Sequence, residues 1–185
     1  YSSVSHLGLI LFAILMFNGI AFTGAVLQMI SHGFITALFF ALIGMIYSRT
    51  KTRDIYQMGG LMKVMPVLGV SYMIAGFASL GLPGFSAFVA EMTIFVGAFQ
   101  NSDLFTRVST VLVISSIVIT AVYILRAAVI MLFGPIKNKE FLSLGDAHWF
   151  EKVSIFLLII AITAIGFFPS WLSNMISESV GLLVE

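Results

Sequence analysis

The 185-residue sequence contains no cysteine, and charged side chains are scarce. The absence of cysteine excludes disulfides, thiolate zinc sites and cysteine-ligated iron–sulfur clusters. Asp, Glu, Lys and Arg make up 9% of the residues and the net charge is +1, whereas soluble domains carry about a quarter charged residues. Such a chain cannot cover a globular surface with polar groups, nor present the basic face that nucleic acid requires. A soluble enzyme and a nucleic-acid binder are therefore both excluded.

Hydrophobic residues make up 60% of the chain, and they fall in long stretches without charge. A helix needs about 20 apolar residues to cross the hydrocarbon layer of a bilayer, and no alternation of period 2 supports strands. The sequence therefore predicts an all-α, polytopic membrane protein, a bundle of about five transmembrane helices surrounded by lipid. The predicted helices cover residues 5–17, 23–47, 64–99, 108–133 and 149–168.

The third helix is predicted to be broken inside the membrane. Pro83 lacks a backbone N–H and clashes with the preceding turn, and Gly81 and Gly84 permit backbone angles that other residues resist. Broken helices at membrane depth occur where they line a cavity or are buried in protein, and transporters place ion sites at them.

Two loops carry most of the positive charge. Arg49, Lys51 and Arg53 follow the second helix, and Lys137 and Lys139 follow the fourth. Because two helices separate these loops, both are expected on one side of the membrane, which the positive charge marks as cytoplasmic.

The start of the fifth helix carries a further capping prediction. Asp146 precedes that helix by a few residues, and Asp is a favoured N-cap residue. We therefore expect Asp146 to cap the fifth helix.

Glu91 is the most informative ionisable residue. It follows the break by seven residues, about 10 Å along a helix, and the apolar run after it is needed to complete the crossing. Because burial disfavours the charged carboxylate, Glu91 is predicted to bind and release a proton. The alternative is a carboxylate at a helix end facing lipid headgroups.

His32 lies in the middle of the second helix and belongs to a polar stripe. Gln28, Ser31 and Thr36 share its face at helical spacing, and such a stripe should face protein or water. Imidazole titrates closest to physiological pH and so suits a proton relay. The alternative is a histidine that only hydrogen-bonds a neighbouring helix.

Two other ionisable residues have weaker signals. His6 follows several serines, so a relay role and an interfacial position are both open. Arg126 lies about 12 Å from the end of the fourth helix, and its long side chain can extend to the interface.

The sequence also resembles a known family. The segments that carry the resemblance are YSSVSHLG at residues 1–8, QMISHG at 28–33, TRDI at 52–55, GGL at 59–61, ASLGLPG at 78–84 and FVAE at 88–91. They are similar to the antiporter-like membrane subunits of respiratory complex I. The branch called subunit M or chain 4 is the most similar, because sister subunits typically carry Lys at the position of Glu91.

This resemblance implies that residues 1–185 are the C-terminal part of one antiporter-like transmembrane domain in an energy-converting membrane, a bacterial or organellar inner membrane. It implies an axis of protonatable residues to which His6, His32 and Glu91 belong, with Glu91 as its terminal acid. NADH, FMN, iron–sulfur clusters and quinone are implied for the whole complex and no cofactor for this chain. The implied partners are the other membrane subunits and, through them, the peripheral redox arm.

The function is thus predicted to be proton translocation driven by electron transfer to quinone in other subunits. In this reading the chain is a subunit of a proton-translocating enzyme and performs no redox chemistry itself. The alternatives are a subunit of a multi-subunit Na⁺/H⁺ antiporter, or of a related hydrogenase-, ferredoxin- or F420-linked complex.

Overall fold

The computed structural model describes residues 2–184, and within that range the side-chain surroundings of residues 2–181; Tyr1 and Glu185 lie outside the described residues. The described part of the chain is built from helices alone, which confirms the all-α prediction. The helices are α1 (Ser2–Ile14), α2 (Gly19–Thr50), α3 (Leu61–Val64), α4 (Pro66–Ser79), α5 (Ser86–Gln100), α6 (Leu104–Leu132), a 3₁₀ helix (Lys139–Ser143), α7 (Trp149–Phe167) and α8 (Ser170–Val184).

Three of these helices, α2, α6 and α7, are long and apolar enough to cross a membrane by themselves. The helices α1, α4 and α5 are apolar but shorter. The helices α4 and α5 have 14 and 15 residues, about 21 and 22 Å each. Neither reaches across a hydrocarbon core of about 30 Å, so together they form one interrupted span.

The interruption lies where the sequence predicts it. The helix α4 ends at Ser79 and α5 begins at Ser86. Between them Gly81 and Gly84 have φ angles of 64° and 98°, a region that residues with a side chain rarely adopt. The predicted break at residues 81–84 is therefore confirmed.

The other helices differ from the predicted ranges by four residues or fewer, and capping explains the earlier starts of α2 and α6. The side chain of Asn18 accepts a hydrogen bond from Ala21 N, so α2 begins at Gly19. Asp103 accepts one from Thr106 N, so α6 begins at Leu104. Charge-free stretches mark the part of a helix within the lipid, whereas capping residues mark its ends.

The helix α8 was not among the predicted helices. Its apolar residues Leu172, Ile176 and Val180, each four positions after the last, form a stripe that packs against Leu27 of α2 and Ala90 of α5. This helix therefore covers the seam between α2 and the second half of the broken span.

Small residues let α2 and α5 approach closely. A Cβ added to Gly24 would lie 2.7 Å from the backbone nitrogen of Ile94, and one added to Gly97 would collide with the backbone of Ala21. The side chain of Asn18 also donates to the carbonyl of Gly97 at 2.7 Å. Close backbone packing at small residues is typical of membrane helices, and here it places the stripe of α2 beside the break.

The basic loops come together at one end of the bundle. Nζ of Lys137 donates to the carbonyl of Tyr56 at 2.8 Å, which joins the loop after α2 to the loop after α6. Arg49 makes a two-bond ion pair with Glu151 at 2.5 and 3.2 Å and donates to the carbonyl of Gly145. We call these Arg49 contacts, together with the Asp146 contacts described next, the Arg49 network.

The predicted role of Asp146 is wrong. Its carboxylate accepts hydrogen bonds from Val67 N at 2.8 Å and Leu68 N at 3.3 Å, so it caps α4, a distant element, where Pro66 supplies no N–H. At the start of α7 the Glu151 carboxylate accepts a bond from His148 N instead. The chain therefore caps α4 from across the bundle.

Candidate functional site: a line of polar side chains at the helix break

His6 lies at the centre of the polar contacts. It is buried on α1, with Nδ1 3.2 Å from the amide nitrogen of Gln28 and Nε2 3.3 Å from the hydroxyl of Ser79. An amide nitrogen only donates, so Nδ1 accepts and Nε2 carries the hydrogen. The arrangement therefore directs an N–H of His6 towards Ser79, the last residue of α4 before the break.

His32 continues the line on the other side of His6. The centroids of the two imidazole rings lie 5.3 Å apart. Nε2 of His32 and Oε1 of Gln28 are buried and have no hydrogen-bond partner among the described residues. Both side chains line a cavity of about 550 Å³, which has the volume for several waters at about 30 Å³ each. Water there would supply the missing hydrogen bonds.

The residues of the polar stripe on α2 have two different surroundings. Gln28, His32 and Thr36 line this first cavity. The hydroxyl of Ser31 lies 2.7 Å from that of Ser86, where it joins α2 to the first residue of α5. Ser31 therefore packs helices together and lies outside the lining of the cavity.

Glu91 is closer to the break than its sequence position suggests. Position 91 lies about 10 Å past the break along the helix, but the side chain of Glu91 reaches back because helical side chains point towards the N-terminus. A Cβ added to Gly81 would lie 3.0 Å from Cδ of Glu91. The residue is 7% exposed, so the acid and the break form a single site.

A second cavity lies between Glu91 and His6. It has about 400 Å³, and His6, Ser79 and Glu91 all line it. His6 and Ser79 also line the first cavity. A third cavity of about 600 Å³, with mostly apolar walls, runs from Glu91 and Gly81 to Gln100 at the end of α5. Polar groups thus extend from His32 to Glu91, and an apolar space continues beyond.

The helix α6 forms a wall of this line. Ser116 and Thr120 line both polar cavities, and Tyr123 lines the first. Arg126 is exposed on the same helix and is not among the residues that line the cavities.

Ser79 is the residue that sequence reasoning missed. Its contact with His6 spans 73 positions, so no local pattern reveals it. The one signal is its place as the last helical residue before Gly81. Within residues 2–184, no group of three or more His, Cys, Asp or Glu side chains is arranged to hold a metal ion.

Comparisons with known proteins show which proteins the chain is similar to. A family model described as NADH:quinone oxidoreductase/Mrp antiporter, TM, matches residues 1–120. "NADH-quinone oxidoreductase subunit M" of Rickettsia conorii is 37% identical over 100% of this chain and 37% of its own length. "NAD(P)H-quinone oxidoreductase chain 4 1" of Trichormus variabilis is 38% identical over 95% of this chain and 34% of its own length. The chain thus spans a little over a third of these curated relatives.

Solved structures share the fold. A chain of respiratory complex I from Thermus thermophilus matches with a TM-score of 0.84 and 25% identity, over 100% of this chain and 38% of that chain. A chain of the Mrp complex from Dietzia sp. DQ12-45-1b also matches with a TM-score of 0.84, at 18% identity, over 100% of this chain and 42% of that chain. The polytopic membrane bundle is thereby confirmed, and the chain belongs to the NADH:quinone oxidoreductase/Mrp antiporter transmembrane family.

Proposed function

We propose that this protein is a membrane subunit of an NADH:quinone oxidoreductase and that it moves protons through the line from His32 to Glu91. One observation carries the proposal: two imidazoles, a hydroxyl and a buried carboxyl on four helices line two cavities that share His6 and Ser79. Ionisable groups at membrane depth are costly and mark ion or proton paths. The curated relatives that carry the name NADH-quinone oxidoreductase subunit M support the choice of complex.

The proposed path proceeds in three steps. His32 passes a proton to His6 through water in the first cavity, since their ring centroids are 5.3 Å apart. His6 takes up that proton at Nδ1, which displaces the hydrogen bond from Gln28, and releases its Nε2 proton towards Ser79; exchange with water in the cavity then returns the hydrogen to Nε2, and Gln28 donates to Nδ1 again. The second cavity then carries the proton to Glu91, which exchanges it with the far side along the third cavity.

The driving energy comes from other subunits in this proposal. Electron transfer from NADH through FMN and iron–sulfur clusters to quinone releases that energy in the whole complex. Iron–sulfur clusters are held by cysteine thiolates, and this sequence contains none. The residues of this chain therefore do not fit an iron–sulfur cluster held by thiolates, and we assign to the chain the passage of protons, with redox-bearing and membrane subunits as its partners.

The orientation follows from charge. Short loops rich in Lys and Arg stay on the cytoplasmic side. The contact of Lys137 with the loop after α2 supports one common side for the loops of Arg49 and Lys137. We therefore propose that this end faces the cytoplasm or the matrix and that Gln100 lies near the opposite surface.

A Na⁺/H⁺ antiporter subunit is the second candidate. The family model covers both kinds of complex, and the Dietzia Mrp chain has the same fold. Mass spectrometry of the native assembly in mild detergent distinguishes the two. Flavin- and iron–sulfur-bearing partners would support the first candidate, and small membrane subunits without any redox protein would support the second.

The substitution Glu91→Gln tests the proton path directly. It removes the titratable group with little change of shape, so we expect assembly and quinone reduction to persist while the protons moved per NADH fall about tenfold or more. The measurement is NADH-driven acidification of native membrane vesicles by a pH-sensitive dye. Glu178→Gln, on the exposed face of α8, is the matched control. Normal pumping by the assembled Glu91→Gln complex would refute the proposal.

A further inference from the structure

The carboxyl group of Glu91 lies directly against the backbone of the break. A Cβ added to Gly81 would lie 3.0 Å from Cδ and 3.4 Å from Oε1 of Glu91, and nearer still to Oε2. Contacts of this length leave no room for both groups. The carboxyl group of Glu91 therefore occupies the space that a side chain at position 81 would fill.

The backbone angle alone does not account for this arrangement. Gly81 and Gly84 both have positive φ angles, so both need the freedom of glycine. Their surroundings differ, however. A Cβ on Gly84 would meet the ring of Phe167 at 3.4 Å, an ordinary contact, and no atom of Glu91 within 4 Å. A comparison of the two glycines therefore distinguishes the effect of backbone strain, which both positions share, from the effect of contact with Glu91, which only position 81 has.

The break itself is held firmly, so the carboxyl is the group that would move. A Cβ on Gly166 of α7 would collide with the carbonyl of Gly84, which shows α7 packed against the backbone of the break. The Glu91 carboxyl, in contrast, is the far end of a flexible side chain that borders two cavities. A side chain at position 81 would push it into one of them.

We propose that Gly81 is a positioning residue for Glu91: by lacking a side chain, it holds the carboxyl at the junction of the polar and the apolar cavity. The inference rests on the proposed proton path and adds to it a residue that determines the position of Glu91, the last acid of the path. If the Glu91 carboxyl is displaced by about 1 Å, it is no longer aligned with the group that passes it the proton. A displacement of this size lowers a reaction rate about a hundredfold.

The first test compares Gly81→Ala with Gly84→Ala in the full-length subunit, assembled in native membranes. Gly81→Ala is expected to lower the protons moved per NADH by about tenfold or more, and Gly84→Ala, which strains the backbone of the break without contact with Glu91, is expected to lower them by clearly less. Equal losses in the two variants would assign the effect to backbone strain and overturn the inference. Failure of only Gly81→Ala to assemble would make Gly81 a folding residue, which also overturns it.

A second test does not depend on pumping. Dicyclohexylcarbodiimide modifies protonated carboxyls, and mass spectrometry reports the rate of its addition to Glu91. Because that rate depends on the surroundings of the carboxyl, Gly81→Ala should change it several-fold and Gly84→Ala should not. An unchanged rate in Gly81→Ala overturns the inference. If Glu91→Gln pumps normally, the proposed function fails, while the labelling still shows whether Gly81 positions the acid.

Discussion

The substitution Gln28→Leu should slow proton transfer without loosening the bundle. Gln28 is fully buried, and its amide nitrogen donates to Nδ1 of His6 at 3.2 Å. Leucine fills similar space but supplies no donor. The hydrogen on His6 is then free to move from Nε2 to Nδ1, and Nε2 becomes an acceptor that cannot donate to Ser79.

The size of the effect follows from the lost hydrogen bond. A buried neutral hydrogen bond contributes about 1 kcal/mol, which corresponds to a factor of about five in the ratio of the two tautomers. Protons moved per NADH should therefore fall, by at most about fivefold, because only the tautomer with hydrogen on Nε2 completes the step. The assay is dye-monitored acidification of native vesicles, divided by the rate of NADH oxidation.

Ser31→Ala is the matched control for this effect. Ser31 lies one turn along the same helix, and its hydroxyl bonds Ser86 at 2.7 Å. Its loss costs a hydrogen bond of similar size, about 1 kcal/mol, without touching the histidines. Equal pumping ratios in Gln28→Leu and the unaltered protein would refute the tautomer argument. Equal losses in both variants would assign the effect to packing between α2 and its neighbours.

Two further predictions concern the supports of the break. Asp146→Ala removes the cap of α4 and should lower the free energy of unfolding by about 1–2 kcal/mol, and Asp146→Asn should lower it by less. Thermal unfolding in detergent measures the two variants and the unaltered protein. Equal stability of these three proteins would contradict the role of Asp146 as the cap of α4. Gly166→Ala should cost about 1–3 kcal/mol by overpacking, because its Cβ would collide with the carbonyl of Gly84. Gly44→Ala, where a Cβ would meet open space, should unfold at an unchanged or higher temperature, and a similar drop in both variants would contradict close packing of α7 on the break.

Local signals predicted the fold well. Charge-free stretches located the spans, and the glycines on either side of Pro83 located the break, because both depend on neighbouring residues only. Capping was harder to predict. Asp146 reads as a cap for the helix that follows it, yet its carboxylate reaches Val67 and Leu68 on another helix. The helix α8 was missed because Pro169 ends α7, although Leu172 and Ile176 already show helical spacing.

The candidate site, like the fold, could be predicted where local signals suffice and could not be predicted where contacts between distant residues decide. Glu91, His32 and His6 stand out because ionisable groups are rare in apolar stretches, and the structure brings all three to the lining of connected cavities; their roles stay predictions. Ser79 could not be identified, since a serine in a membrane helix is common and its contact depends on how α1 packs against α4. The contact between the Glu91 carboxyl and Gly81 could not be predicted, because the rise along the helix does not give the direction of the side chain.

The two halves of the broken helix have separate supports, and this determines how the proton line responds to change. The helix α4 carries Ser79 and is held at its far end by the Arg49 network, which includes Asp146. The helix α5 carries Glu91 and is held by close backbone contact with α2 at Gly97. A change in the Arg49 network therefore acts on the helix that carries Ser79, and through Gly81, two residues further on, it also reaches the Glu91 carboxyl. A change at Gly97 acts first on the helix that carries Glu91, so the two supports bear on the step into the second cavity and on the step out of Glu91 from opposite ends of the broken helix.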